Sequence, residues 1–161
     1  MKAFAVVATA SFVFVGGCST VYIPPPQLPT RTASGTLSIK NDQVDIEPRI
    51  YFSDGISTYT THYRGYTEVL LRAVGDRLAS VKVADSATKS LSLSIQSIAC
   101  TGHYIPDCTV SAVVATGNGQ RRSLSGATST GYPISSALDK AINGVAASIA
   151  GDPEVIAYLV R

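Results

Sequence analysis

The sequence has no tryptophan, a single methionine and only two histidines among 161 residues. Charged residues make up 15% of it, against about a quarter in ordinary soluble domains. The charges nearly cancel, 13 Lys and Arg against 11 Asp and Glu, for a net +2. Nothing concentrates the basic residues into the stripe a nucleic-acid binder displays, so nucleic acid is not an expected partner. No uncharged apolar run reaches the ~20 residues that a membrane-spanning helix requires. G-x-S-x-G, H-E-x-x-H and a phosphate-binding glycine loop are all missing, which leaves no recognisable nucleophile elbow, zinc helix or nucleotide cradle. Apolar residues nonetheless reach 45%. That share excludes a chain disordered throughout, and the length fits one ordinary domain.

What is present begins at the first residue. Lys2 precedes an uncharged, mostly apolar run from Ala3 to Gly17. As a helix this run spans roughly 22 Å, short of the ~30 Å hydrocarbon core. A basic start, a short apolar stretch and small residues at its end describe an export signal over residues 1–17; a short anchor or a buried strand is the plainer alternative. The run closes on Val15-Gly16-Gly17-Cys18, which resembles the bacterial lipobox. That resemblance implies cleavage before Cys18 and acylation of its thiol, which places the mature chain on a membrane through a lipid anchor. Ser19 stands where an aspartate would favour the inner membrane, so the outer membrane is the expected location. Two or more acyl chains hold a protein firmly, at about 0.8 kcal/mol per buried methylene.

Residues 18–34 read as the lipidated cysteine and a spacer. Four of the eight prolines fall between Pro24 and Pro29. Proline fixes φ and removes a backbone donor, so no helix or central strand is expected there. Pro24-Pro25-Pro26 favours polyproline II, and the segment would hold a domain up to roughly 50 Å from the lipid. A docking peptide for a proline-binding groove is the alternative to a plain spacer.

A folded domain is expected over residues 35–161. Leu37 and Ile39 alternate with polar residues as in a half-buried strand. Asn41-Asp42 signals a turn, after which Val44 to Phe52 can pair back in part, with Pro48 as an interruption. A helix is expected from about Thr67, as N-cap, to Ser80, with Leu70, Val74 and Leu78 on its apolar stripe and Glu68 in its first turn. Val81-Lys82-Val83 reads as a short strand. Leu91, Leu93 and Ile95 alternate with small polar residues, and Cys108 to Thr116 does the same. Gly117-Asn118-Gly119 is a hairpin signal, and Arg121 to Thr130 returns as a polar edge strand guarded by Arg121 and Arg122. A last main helix, capped by Ser135 or Ser136, carries Leu138, Ala141, Ile142, Val145 and Ile149 on one stripe, with Gly151 as C′ residue. Asp152-Pro153 starts a short C-terminal helix, Asp as N-cap and Pro at its first position. The expected fold class is α+β: a mainly antiparallel sheet of about four to five strands, two main helices on one face and a short C-terminal helix.

Three cysteines occur. With Cys18 acylated, Cys100 and Cys108 remain as an even pair in an oxidising compartment, and a disulfide closing their hairpin is expected. Metal binding by Cys100, His103 and Cys108 is the alternative; it lacks a fourth ligand and the usual Cys-x₂₋₄-Cys spacing. No metal or cofactor is expected. Neither His62 nor His103 sits in a catalytic motif, although a triad could assemble in space.

Residues 51–66 hold Tyr51, Tyr59, Tyr63 and Tyr66, half of the eight tyrosines. Tyr59, Tyr63 and Tyr66 stand at i, i+4 and i+7 and would share one face of a helix. Tyrosine suits contact surfaces, so these three are candidate partner contacts, for another envelope protein or a cell-wall glycan. Packing over the sheet is the competing reading.

The C-terminal half resembles the YajG-type lipoproteins of Gram-negative bacteria. The stretches that carry the likeness are Thr109 to Gln120, Ser136 to Val145 and Asp152 to Ile156, within residues 65–161. The Cys100–Cys108 loop, the tyrosine segment and a shorter middle depart from that pattern. The resemblance implies an envelope lipoprotein and carries over no functional residue beyond Cys18. The expected function is that of a non-catalytic, lipid-anchored binding or assembly module facing the periplasm. A small cell-wall-acting hydrolase or hydrolase inhibitor is the alternative from another class.

Overall fold

Alternation of apolar and small residues lays down the longest strands, and the rest of the fold is arranged around them. The computed structural model describes residues 19–22, 37–44, 47–53, 57–81, 83, 89–102, 105–129 and 133–161. In chain order the elements are β1 (Ser19–Tyr22), β2 (Leu37–Asn41), β3 (Arg49–Ser53), β4 (Ser57–Thr61), α1 (Tyr63–Leu78), β5 (Lys89–Thr101), β6 (Asp107–Thr116), β7 (Arg121–Ser129), α2 (Ile134–Gly151) and α3 (Pro153–Val160). They form an α+β structure with a four-stranded sheet, β2-β5-β6-β7, and a three-stranded sheet, β1-β4-β3. The β5-β6-β7 meander is antiparallel, and β2 joins β5 in parallel.

The larger sheet has two unlike faces. Leu91, Leu93 and Ile95 of β5 and Val110, Ala112 and Val114 of β6 are buried on one of them. The intervening residues are mostly Ser, Ala and Thr, and they lie on the other face, half-buried or exposed. The helices cover the apolar face, α1 over β2 and β5 and α2 over β6 and β7, packed against each other. The expected stripe of α2 is fully realised: Leu138, Ala141, Ile142, Val145 and Ile149 are all buried. Gly126 of β7 lies directly beneath α2. A Cβ there would stand 2.5 Å from the Val145 nitrogen and 2.6 Å from the Ala141 carbonyl oxygen. Only glycine admits the helix backbone this close.

Several expectations are corrected. The chain after Asn41 does not fold back on β2. Asp42 N–H donates to the Leu93 carbonyl (2.9 Å), and Ile95 N–H donates to the Gln43 side-chain oxygen (2.8 Å). The segment thus continues along β5 instead of turning, and Val44 is 81% exposed. β3 pairs with β4 instead. Helix α1 starts four residues before Thr67, which is buried inside it. Tyr63 and Tyr66 extend the Leu70, Val74, Leu78 stripe toward the N-terminus, so burial overrides the capping preference of threonine. Glu68 is accordingly outside the first turn. Val81 closes the helix through its N–H to the Leu78 carbonyl and begins no strand. Helix α2 starts at Ile134 after Pro133, without a serine cap, and Gly151 is its last helical residue. Ser19–Tyr22, expected to belong to an unpaired spacer, is instead a strand paired with β4. The expected export signal over residues 1–17, Cys18 and the rest of the expected spacer, residues 23–34, lie outside the described residues.

Candidate functional site

Asp152 fixes the start of α3 and is almost fully buried. Its side chain accepts from the N–H groups of Glu154 (2.9 Å) and Val155 (3.1 Å), which caps α3 as its sequence promised. Arg122 of β7 reaches the same carboxylate at 3.2 Å and the Glu154 carboxylate at 3.1 Å. Burial works against the Asp152 charge, but the two N–H groups and the guanidinium outweigh it and hold the carboxyl below its ordinary range. The start of α3 is thereby tied to the start of β7.

Further along α3, Tyr158 turns back to the sheet. Its hydroxyl accepts from Ser90 N–H at 3.1 Å, and Lys89 Nζ sits 5.0 Å from its ring centroid. This approach depends on Gly117 in the β6–β7 turn, because a Cβ there would lie 2.6 Å from the Tyr158 hydroxyl and 2.5 Å from Ser90 Oγ. The turn itself is closed by Asn118, whose side-chain oxygen accepts from Thr116 Oγ1 and, at 3.4 Å, from Gln120 N–H. Gly119 takes a φ of +89° there, in the left-handed region that glycine occupies at no steric cost.

Between the turn and α3 lies an open cleft of about 420 Å³, lined chiefly by Lys89, Asn118, Gln120, Glu154, Tyr158 and Arg161. Lys89 and Arg161 stand against one carboxylate, Glu154, which shares Arg122 with Asp152. Amide donors and two cations suit an anionic or strongly polar group. The side chains in its lining able to give or take a proton are Lys89, Glu154 and Tyr158. No group of three or more His, Cys, Asp or Glu residues suited to a metal occurs among the described residues.

Cys100 and Cys108 are joined by a disulfide across directly paired positions of β5 and β6. Cys108 is fully buried, so the bond is part of the core. The tyrosines are not arranged as a contact surface. Tyr59 is on β4, not on the helix, and Tyr63 and Tyr66 on α1 are 4% and 1% exposed. The stripe at 3.6 spacing faces inward because β5 lies beneath it. Tyr63 has a definite task there. Ile98 N–H donates to its hydroxyl at 3.0 Å, and the hydroxyl points to the Ile98 carbonyl at 3.4 Å. Beyond the reach of β2, Gln43 and Tyr63 thus bond the backbone of β5 at Ile95 and Ile98. Around them, Tyr59 packs on Phe52 with centroids 5.2 Å apart and edge-on to Tyr51 at 6.4 Å. Tyr51 is 3% exposed and its hydroxyl has no hydrogen-bond partner. Burial, with a smaller contribution from Tyr59, pushes its pKa up to about 12. His62 precedes α1 at its N-cap position, and His103 lies outside the described residues.

The cleft was not anticipated from sequence. Asp152-Pro153 and Gly117-Asn118-Gly119 were each legible, but nothing in the chain signals that they meet. No helix among the described residues is long and apolar enough to cross a membrane. No family model matches the chain, and no curated protein is significantly similar to it.

Proposed function

We propose that this protein is a lipid-anchored envelope lipoprotein whose periplasmic α+β domain is a non-catalytic binding or assembly module. The observation that carries the reading is the order Lys2, apolar run, Val15-Gly16-Gly17-Cys18, followed by a folded domain. Acylation of Cys18 supplies the membrane attachment, and Ser19 favours the outer membrane. The likeness of residues 65–161 to YajG-type lipoproteins agrees with it. The cleft beside Tyr158 is the candidate contact for a partner, either another envelope protein or a cell-wall glycan bearing carboxylates. Cells expressing the full chain and fed labelled palmitate should yield a labelled band that disappears with Cys18→Ala. Label that survives the substitution overturns the reading. Cross-linking of the intact protein in membranes, compared with Lys89→Glu, should lose its partner band if the cleft is the contact.

A further inference from the structure

A sheet edge needs protection, because its unpaired N–H and C=O groups template the addition of another strand. Three of the four edges have it. β1 and β2 are only four and five residues long. β3 follows Pro48, opens on Arg49 and carries a register break between Ile50 and Phe52. β7 is different: nine residues run from Arg121 to Ser129 without proline, in unbroken register with β6. The guard expected of its two arginines is halved, because the Arg122 side chain turns to Asp152 and Glu154. Among the described residues no strand lies on its outer side. The direction of its free backbone groups follows from the turn. Thr116 N–H donates to the Gln120 carbonyl (2.9 Å), and bonded and unbonded pairs alternate along an antiparallel ladder. Arg122, Leu124, Gly126 and Thr128 therefore spend their backbone groups on β6, whereas Arg121, Ser123, Ser125, Ala127 and Ser129 aim theirs outward. All five of the latter are exposed.

We propose that β7 is a self-pairing edge: two copies of the chain join antiparallel about Ser125, and their four-stranded sheets become one continuous sheet. In this register Arg121 lies opposite Ser129 of the second copy, Ser123 opposite its Ala127, and Ser125 opposite its own counterpart, so every outward-facing residue of the strand is matched. Charge selects the second copy as the occupant. Asp107 pairs with Ser129, at the far end of the strand pair from Arg121, and both charged residues are exposed. Within one chain they stand about 27 Å apart along the strands. In the joined sheet, Arg121, Ser129 of the second copy and Asp107 of the second copy form one row on one face. The two charged residues are then ~10 Å apart at Cα, two strand spacings, and an arginine side chain spans that gap. Two such ion pairs form about the dyad. Parallel pairing would set Arg121 beside Arg121 and bring neither to an acid. The chain's own spacer is no match for this edge, since four prolines between Pro24 and Pro29 lack the donors a ladder requires.

The test cross-links the full chain, expressed at low level, with a short thiol-reactive bifunctional reagent. Cys100 and Cys108 are bonded and do not react, and the unmodified chain sets the background. Ser125→Cys should give a band at twice the chain mass, with residue 125 joined to residue 125 by mass spectrometry, because the two Cα atoms face each other at ~5.5 Å. Lys40→Cys, exposed on the opposite edge of the sheet, should not exceed background. Ala127→Pro, added to Ser125→Cys, removes an outward donor that β6 does not use and should abolish the band while the fold persists. Arg121→Asp in the same background should lower the linked fraction about fivefold, since two ion pairs become two repulsions. Adding Asp107→Arg should restore it, a rescue that neither a foreign strand nor a mere change in folding would produce. The proposal is overturned if residue 125 links to nothing or to a different protein, or if Lys40→Cys links equally well. Failure of the charge swap to rescue overturns the antiparallel register, and that result stands even if Ala127→Pro prevents folding.

Discussion

Beneath α1 and α2 the four-stranded sheet presents Leu91, Leu93, Ile95, Val110, Ala112 and Val114, all aliphatic and all buried. The three-stranded sheet relies on Tyr51, Phe52 and Tyr59. In the first region apolar burial and long strand ladders suffice, and no side-chain polar atom needs a partner. In the second the strands are four or five residues long, and the rings bring hydroxyls with them. Tyr63 turns that obligation to use by bonding the backbone of β5, while Tyr51 leaves it unmet. Aromatic burial thus fills space under a short sheet, but each tyrosine adds a polar atom whose placement decides whether the burial is an asset.

The largest expected effect tests whether the aromatic corner is truly core. Tyr66→Ala should destabilise by about 4 kcal/mol in urea melts, as deletion of a large buried ring does; a loss under 1 kcal/mol would return the segment to the surface. Next comes alkaline pH. Tyr51 is held neutral in the fold, with its pKa raised from 10.0 to about 12. A raised folded-state value means that the contribution is complete below about pH 10 and is lost as pH climbs toward about 12, by roughly 3 kcal/mol. Tyr51→Phe should flatten this alkaline limb, and should not destabilise at pH 7, because it removes an unpartnered hydroxyl. Unchanged alkaline melting would place that ring in a wetter setting. Third, replacing both Cys100 and Cys108 with alanine should cost about 2.5 kcal/mol on loop entropy. Labelling of unfolded, unreduced protein should find neither thiol reactive. The smallest effect belongs to the capped helix: Asp152→Ala should cost about 1.5 kcal/mol. The Asp152 carboxyl titrates below its ordinary range, so this contribution is present above about pH 4 and fades as pH falls through the depressed value. Asp152→Asn should keep most of the cap and lose that acid dependence.

The comparison also shows what a sequence can disclose. Leu91 to Ile95, Val110 to Val114, the Asn118 turn, the α2 stripe and the Asp152 cap were all legible, because each is a local pattern with one geometric meaning. The pairing of β2 was not. Its own residues say only that one face is apolar, and the partner lies some fifty residues on at Lys89 to Leu93. The tyrosines failed in another way. A stripe at 3.6 spacing marks a face but carries no sign telling water from core, and Tyr59 falls on a strand before the helix begins. The cleft needed two legible turns to come together, which is a property of the tertiary structure alone. Gly126 was silent for the same reason: its role is defined by the α2 backbone above it.

The parallel pairing of β2 with β5 also orders events in time. A chain made or threaded from its N-terminus exposes residues 37–41 long before residues 89–93 exist beside them, and residues 19–22 must wait for 57–60. The β5-β6-β7 meander has no such delay, because each strand follows its neighbour through a short connection. Contacts close in sequence form first, since less chain has to be gathered to make them. By that measure the β3–β4 hairpin and the β5-β6-β7 meander need only their own residues, whereas β1 and β2 depend on strands far along the chain. Until residues 57–60 and 89–93 have been made, β1 and β2 have no strand to pair with, so the two parallel ladders close only after most of the chain exists.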